Sequence, residues 1–201
     1  MIRLIDADEY LQRTEELPYY RSRWSYLSKV SEIAADLISR YELRSALELG
    51  PYKVPMVLGA DVMDVAKWEV PGDTPHVILH DASKIPWPIQ VKYDLFLALQ
   101  VLEHLDADQD GVRIRNLAGI QREAFKEITR ISRYAIISLP IDWSMDNLND
   151  CHHMISHNQA LSWFEPRIPD QVVIVNDTTR KRVIYVFEEL KSGNELSATG
   201  R

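Results

Sequence analysis

The chain is short of several features that usually betray a function. It has a single cysteine, Cys151, so no internal disulfide can form, which suits a reducing compartment. No apolar run approaches the roughly 20 residues that cross a bilayer. The N-terminal stretch "MIRLIDADEYLQRTEELPYY" has no long apolar segment behind a basic start, unlike a secretory signal, and a cytoplasmic protein is expected. Positive charge is scarce too. Lys and Arg number 23 against 30 Asp and Glu, a net charge of -7 that would repel a phosphate backbone. Neither nucleic acid nor a membrane is an expected partner.

What is present is ordinary for a folded protein. At 201 residues, 46% hydrophobic and 26% charged, the chain is long enough for one domain with its own core, and only the last dozen residues look loose. In "WSYLSKVSEIAADLISRY" the residues Leu27, Val30, Ala34, Leu37, Ile38 and Tyr41 recur every three or four positions and mark one face of a helix. Four short runs rich in branched residues follow, at 45–49, 60–65, 76–80 and 93–100, and read as strands mostly buried on both faces. A second helical stripe holds Ile114, Leu117, Gln121, Ala124, Ile128 and Ile131, and "YAIISLP" after it reads as a buried fifth strand.

In "SHNQALSWFEP", Ser156 and Gln159 form a capping box and Pro166 supplies a stop, which predicts a short helix. The runs "QVVIVND" and "RVIYVFEEL" predict a terminal antiparallel hairpin, whose outer edge is open to pairing with another copy. Strands alternating with helices define an α/β fold: a doubly wound, Rossmann-like, mostly parallel sheet with a C-terminal antiparallel hairpin. The span 49–61 is too short and too rich in proline for a full crossover helix.

In an open parallel sheet, ligands gather beyond the carboxyl ends of the strands, so the residues just after each run are informative. Glu48-Leu49-Gly50-Pro51 follows the first strand, where a glycine lets a ligand approach the backbone. Asp64 ends the second, as an acceptor for two ribose hydroxyls. "HDASKIPWP" follows the third, with Asp81 able to accept from an adenine amino group, and "LQVLEHL" follows the fourth.

The ordered set resembles the class I S-adenosylmethionine-dependent methyltransferases, in particular the type 11 group, from about Arg44 to Pro140. Its most specific part is "LHDASKIPWPIQVKYDLFLALQVLEHL", with the acid-containing turn, the Pro-aromatic loop, the "YDLF" strand and "VLEH" in the family's order. The resemblance implies S-adenosyl-L-methionine as cofactor. Glu48 matches the acid of the first motif and Gly50 its first glycine, with Pro51 completing a shortened turn. Asp64 would hold the ribose, Asp81 and the backbone of Ala82 the adenine, and Leu99 and Gln100 the methionine portion. Tyr52 and Val54 stand where the family has further glycines.

The resemblance also implies His153 as a residue bordering the acceptor pocket and a candidate base, with His104 of "LEHL" a second candidate that packing explains equally well. The implied layout is one domain, with an N-terminal helical segment at 1–43, the cofactor-binding core at 44–140, an acceptor-side helix and hairpin at 141–190 and a tail at 191–201. The implied reaction is methyl transfer to an oxygen, nitrogen or carbon nucleophile, with a small-molecule acceptor expected first.

Two other readings stay open: a methyltransferase-like domain that only binds or assembles, and a nicotinamide-dependent oxidoreductase using Asp64 for its ribose. "DCHHMISH" gathers Cys151, His152, His153 and His157, but a helix starting at Ser156 puts His153 and His157 off a common face, and no CxxC partner exists. No metal site is expected. In "PYYRSRW", Tyr19, Tyr20, Arg21, Arg23 and Trp24 could fold over a ligand; the plainer expectation is aromatics packing on the sheet and arginines in solvent. Trp143, Trp163 and Phe164 are expected in the core.

Overall fold

The computed structural model describes residues 2–14, 18–51, 54–65, 76–107, 119–143, 155–176 and 180–190. Strand β1 (Arg3–Leu4) and helix α1 (Ala7–Arg13) open the chain, and neither was anticipated from periodicity. The start of α1 is local: the Asp6 side chain caps it by accepting from the Glu9 amide at 2.8 Å. Helix α2 (Pro18–Tyr41) contains the expected stripe and begins about two and a half turns before its first residue, Leu27, with proline tolerated in its first turn. Leu27, Val30, Ala34 and Leu37 are buried against the sheet.

The sheet has seven strands: β2 (Ala46–Leu49), β4 (Asp61–Asp64), β5 (Val77–Leu79), β6 (Tyr93–Leu99), β7 (Ser132–Pro140), β8 (Gln171–Asn176) and β9 (Lys181–Phe187). Their spatial order is β5-β4-β2-β6-β7-β9-β8, parallel as far as β7 and antiparallel through β9 and β8. This is the expected Rossmann-like sheet with its terminal hairpin. The chain winds outward from β2 through β4 to β5, then returns to β6 on the other side of β2. The carboxyl ends of β2 and β6 therefore flank the topological switch point.

Strand β5 departs from the expectation of burial on both faces. It is the outermost strand of its side, so Val77 and Leu79 are exposed. At the opposite edge Val172 and Ile174 of β8 are exposed as well.

Between β2 and β4 the described residues hold no helix. They hold β3 (Val57–Leu58), which pairs with β1 as a separate two-stranded ribbon. Helix α3 (Ile120–Ile131) buries Gln121, Ala124, Ile128 and Ile131 of the expected stripe; Ile114 and Leu117 lie outside the described residues. Helix α4 (His157–Phe164) has Ser156 as its N-cap, accepting from the Gln159 amide at 3.1 Å as expected.

Period-two alternation divides the sheet into two apolar layers. Leu47, Leu49, Phe96, Ala98, Ala135 and Ile137 face α3 and α4, while Ala46, Leu95, Leu97, Leu99 and Ile136 face α2. Trp163 and Phe164 belong to the first core, and Trp143 is also buried. By the same alternation Glu48 lies on the α2 side, beneath the N-terminal segment.

Candidate functional site

Strand β2 ends at Leu49, and Gly50 turns the chain away with a φ of +55°. Its amide donates to the Met63 carbonyl at 2.9 Å, so the turn hugs β4. A Cβ built on this residue would lie 3.2 Å from both γ-carbons of Val101. Backbone conformation and space thus both call for glycine here.

Glu48 is 1% exposed, and its Oε2 accepts from the amides of Met56 at 2.7 Å and Val57 at 3.3 Å. The carboxyl therefore fastens the far end of the shortened turn back onto β2. Burial pushes its pKa up to about 8, with the two amides and the Arg23 charge opposing that rise.

Asp64 ends β4, half-buried, and pairing of Met63 with Leu49 brings it level with Gly50. Asp81 is engaged in its own turn: Oδ1 accepts from the Ser83 amide at 3.0 Å and the Ser83 hydroxyl at 2.7 Å, and Lys84 stands 3.8 Å from Oδ2. Burial raises its pKa, but the Ser83 hydrogen bonds outweigh that and hold it below the ordinary value. The Ala82 carbonyl accepts the indole N–H of Trp87 at 3.0 Å, which ties the Pro-aromatic loop to the core.

Leu99 closes β6, and Gln100 follows with a φ of +63° and its amide donating to the Ser138 carbonyl at 3.0 Å. The side-chain Nε2 of Gln100 and the hydroxyl of Ser138 are buried with no hydrogen-bond partner among the described residues.

A narrow cleft with about 20 Å³ of enclosed room lies at this edge of the sheet. Glu48, Gly50, Pro51 and Leu99 line it, so four of the expected cofactor residues come together. Asp64, Asp81, Ala82 and Gln100 are not among its lining residues. Tyr20 and Arg23 of α2, two of the residues weighed as a cover over a ligand, also line it, and its remaining N-terminal walls were not anticipated: Tyr10 of α1, Thr14 at the end of that helix and Leu27 of α2. Tyr20 packs edge-on against Tyr10 with ring centroids 6.4 Å apart. Arg21 is exposed, as the plainer expectation had it, whereas Arg23 is half-buried in the cavity wall. A sequence signal for α1 existed in "DADE", where an Asp precedes a Glu by three residues.

His104 is exposed on the 3-10 turn Leu102–His104 and does not line the cavity. His153, Cys151 and His152 lie outside the described residues. His157 Nδ1 sits 2.9 Å from the hydroxyl of the buried Tyr185. Among the described residues no three His, Cys, Asp or Glu side chains gather as a metal site would require, and no helix is long and apolar enough to cross a membrane.

Strand order, switch point and terminal hairpin together define the Rossmann-like methyltransferase fold. Among solved structures, the N-methyltransferase NodS from Bradyrhizobium japonicum WM9 matches with a TM-score of 0.53 at 14% identity, over 87% of this chain and 98% of that one. WbdD, co-crystallised with the kinase inhibitor LY294002, matches with a TM-score of 0.54 at 11% identity. That match covers 80% of this chain but only 40% of WbdD, a bifunctional kinase-methyltransferase. At such identities the likeness is one of fold. No protein-family model matches the sequence, and no curated protein matches it.

Proposed function

We propose that the chain is an S-adenosylmethionine-dependent methyltransferase acting on a small-molecule acceptor. The observation that carries this reading is the cavity at the switch point, floored by Gly50, Pro51 and Leu99 beside the carboxylate of Asp64. The donor set fits the cofactor. Leu27, Val54, Met56 and Leu99 in the cavity wall offer an apolar bed for the thioether region, while outside that lining, at the neighbouring strand ends, Asp64 would accept from a ribose diol and the Gln100 Nε2 is buried without a hydrogen-bond partner among the described residues.

When bound, S-adenosylmethionine supplies a methyl group already activated by its positive sulfur. The protein's task is then to orient an acceptor and exclude water. Alignment alone can lower such a barrier by roughly 7 to 11 kcal/mol, so no catalytic triad is required. Tyr10 and Tyr20, packed edge to face in the cavity wall, act as the water-excluding cover.

A second reading is a methyltransferase-like domain that binds or assembles without catalysis. It is favoured by one observation: Glu48 pins the shortened turn shut through Met56 and Val57, where a crossover helix would otherwise begin.

Thermal unfolding separates these readings. A ligand at about 100 times its Kd adds about 2.7 kcal/mol, a rise of several degrees in Tm for a domain of this size. The proposal expects such a rise with S-adenosylmethionine and with its product S-adenosylhomocysteine, and none with nicotinamide cofactors. A rise with the nicotinamide cofactor alone would mark an oxidoreductase. No rise with any of them would leave the binding module.

A further inference from the structure

The two edges of the sheet are built differently. At one, β5 is blunted by its length of three residues. At the other, β8 runs for six residues, Gln171-Val172-Val173-Ile174-Val175-Asn176, with no charge, proline or glycine among them. An edge of that composition is a ready template for a further strand.

The neighbouring strand fixes which backbone groups of β8 face outward. The Lys181 carbonyl of β9 accepts from the Ile141 amide beside β7, whereas the Val186 carbonyl accepts from the Asp170 amide on the β8 side. Successive residues of an antiparallel ladder turn their backbone groups to alternate sides, so the even-numbered residues of β9 serve β8. Their partners Gln171, Val173 and Val175 therefore bond inward. Val172, Ile174 and Asn176 turn their N–H and C=O groups away from β9, and among the described residues no strand pairs with them. Side chains divide the same way. Val173 and Val175 pack on the α2-side core, while Val172 and Ile174 lie on the other face, 42% and 56% exposed, with Ile168 just ahead of the strand at 79%.

This outward pattern is symmetric about Ile174. A second copy related by a two-fold axis at that residue presents an antiparallel strand in matching register, with Ile174 opposite its own copy and Val172 opposite Asn176. Each outward N–H then meets an outward C=O of the other copy. The apolar side chains of the two copies meet as well, Ile174 directly and Val172 on the diagonal. In a protein of net charge -7, this edge brings no like charges opposite one another. The acid just before it, Asp170, is already held by Arg167 at 3.3 Å and by the Glu188 amide at 2.7 Å. A cover from the same chain is poorly matched, since the residues after Leu190 offer one large apolar side chain, Leu196, to a patch of Ile168, Val172 and Ile174.

We infer that the protein self-associates as a two-fold dimer in which β8 pairs antiparallel with β8 of a second copy, joining two seven-stranded sheets into one. β8 lies four strands from β2, so the cleft of each copy stays open. The pairing does not depend on the methyltransferase reading. One strand pair buries less than the roughly 1,600 Å² of a standard interface, so the dimer is reversible and separates on dilution.

The test is sedimentation velocity over a roughly 300-fold range of concentration, with backbone amide hydrogen exchange read by NMR at both ends of that range. The mass is expected to rise from one chain to two. The amides of Val172, Ile174 and Asn176 should exchange about 10-fold or more slowly in the dimer, while those of Val173 and Val175, bonded to β9 throughout, stay unchanged. Ile174→Lys, shown folded by circular dichroism, places two like charges at the axis and should stay monomeric; Val172→Lys decides in the same way if that variant does not fold. A wild type that remains a monomer across the range would overturn the inference. So would outward amides protected at every concentration, which would mean a cover from the same chain. A dimer that survives Ile174→Lys would use another face and would overturn it too.

Discussion

The side chain of Glu48 reaches across eight residues of chain to accept the backbone N–H of Met56 at 2.7 Å. In a long glycine motif the following helix would satisfy such amides. Here one buried carboxyl does so, and this is how a turn with a single left-handed glycine stays closed. The arrangement explains why an acid occupies an interior strand position at 1% exposure.

Glu48→Ala leaves the Met56 and Val57 amides buried without an acceptor and is expected to destabilise the protein by roughly 1 to 3 kcal/mol in urea unfolding. Glu48→Gln keeps an acceptor oxygen and should cost far less at neutral pH. The pH dependence has a definite sign. The folded pKa lies above the ordinary value of 4.5, at about 8, so the folded state holds the proton more tightly than the unfolded one. The stability from this group is complete below about 4.5 and declines as pH rises through 8. Wild type should lose stability over that window relative to Glu48→Gln. Parallel curves for the two proteins would show that Glu48 is not held protonated.

Gly50→Ala tests the turn itself. A residue with a Cβ at φ +55° costs roughly 1 to 2 kcal/mol, and the added carbon would also press on both methyls of Val101 at 3.2 Å. Denaturant midpoints should fall accordingly, and cofactor affinity should weaken as the turn shifts. An Ala variant as stable as wild type would mean that the turn relaxes freely.

Asp94 joins the start of β6 to the entry of β2, its Oδ2 accepting from the amides of Arg44 at 2.9 Å and Ser45 at 3.1 Å and from the Ser45 hydroxyl at 3.1 Å. Burial raises its pKa, but these hydrogen bonds outweigh it and hold the carboxyl below its ordinary value. Its stabilisation is therefore present above about 3.8 and lost as pH falls through the lower folded value. Asp94→Asn should lower stability at pH 7 by about 1 to 2 kcal/mol and flatten the acid limb of the stability curve. An unchanged acid limb would remove this role.

Much of the sheet was legible because buried parallel strands are written as branched apolar runs: Ala46–Leu49, Tyr93–Leu99 and Ser132–Pro140 all fall where those runs stand. Capping chemistry fixed α4, since Ser156 and Gln159 are a local signal that packing did not override. The cavity was only half legible. Glu48, Gly50, Pro51 and Leu99 sit on strand ends whose position follows from the fold, but Tyr10, Thr14 and Arg23 reach the cavity through the packing of α1 and α2 over that edge. Two-residue strands such as β1 and β3 are too short to carry a period at all. Asp81 illustrates the competing local use of a side chain: Ser83 two residues on supplies the partners of its turn.

Whether the carboxyl edge of β2, β4 and β6 is a working cofactor site is decided by titrating S-adenosylhomocysteine into the wild type and Asp64→Ala. Saturable one-to-one binding to the wild type is expected, weakened roughly 10- to 100-fold when Asp64 no longer accepts from the ribose hydroxyls, with both proteins folded. A folded wild type that gives no saturable binding would contradict it and leave Glu48 and Gly50 as parts of a closed turn.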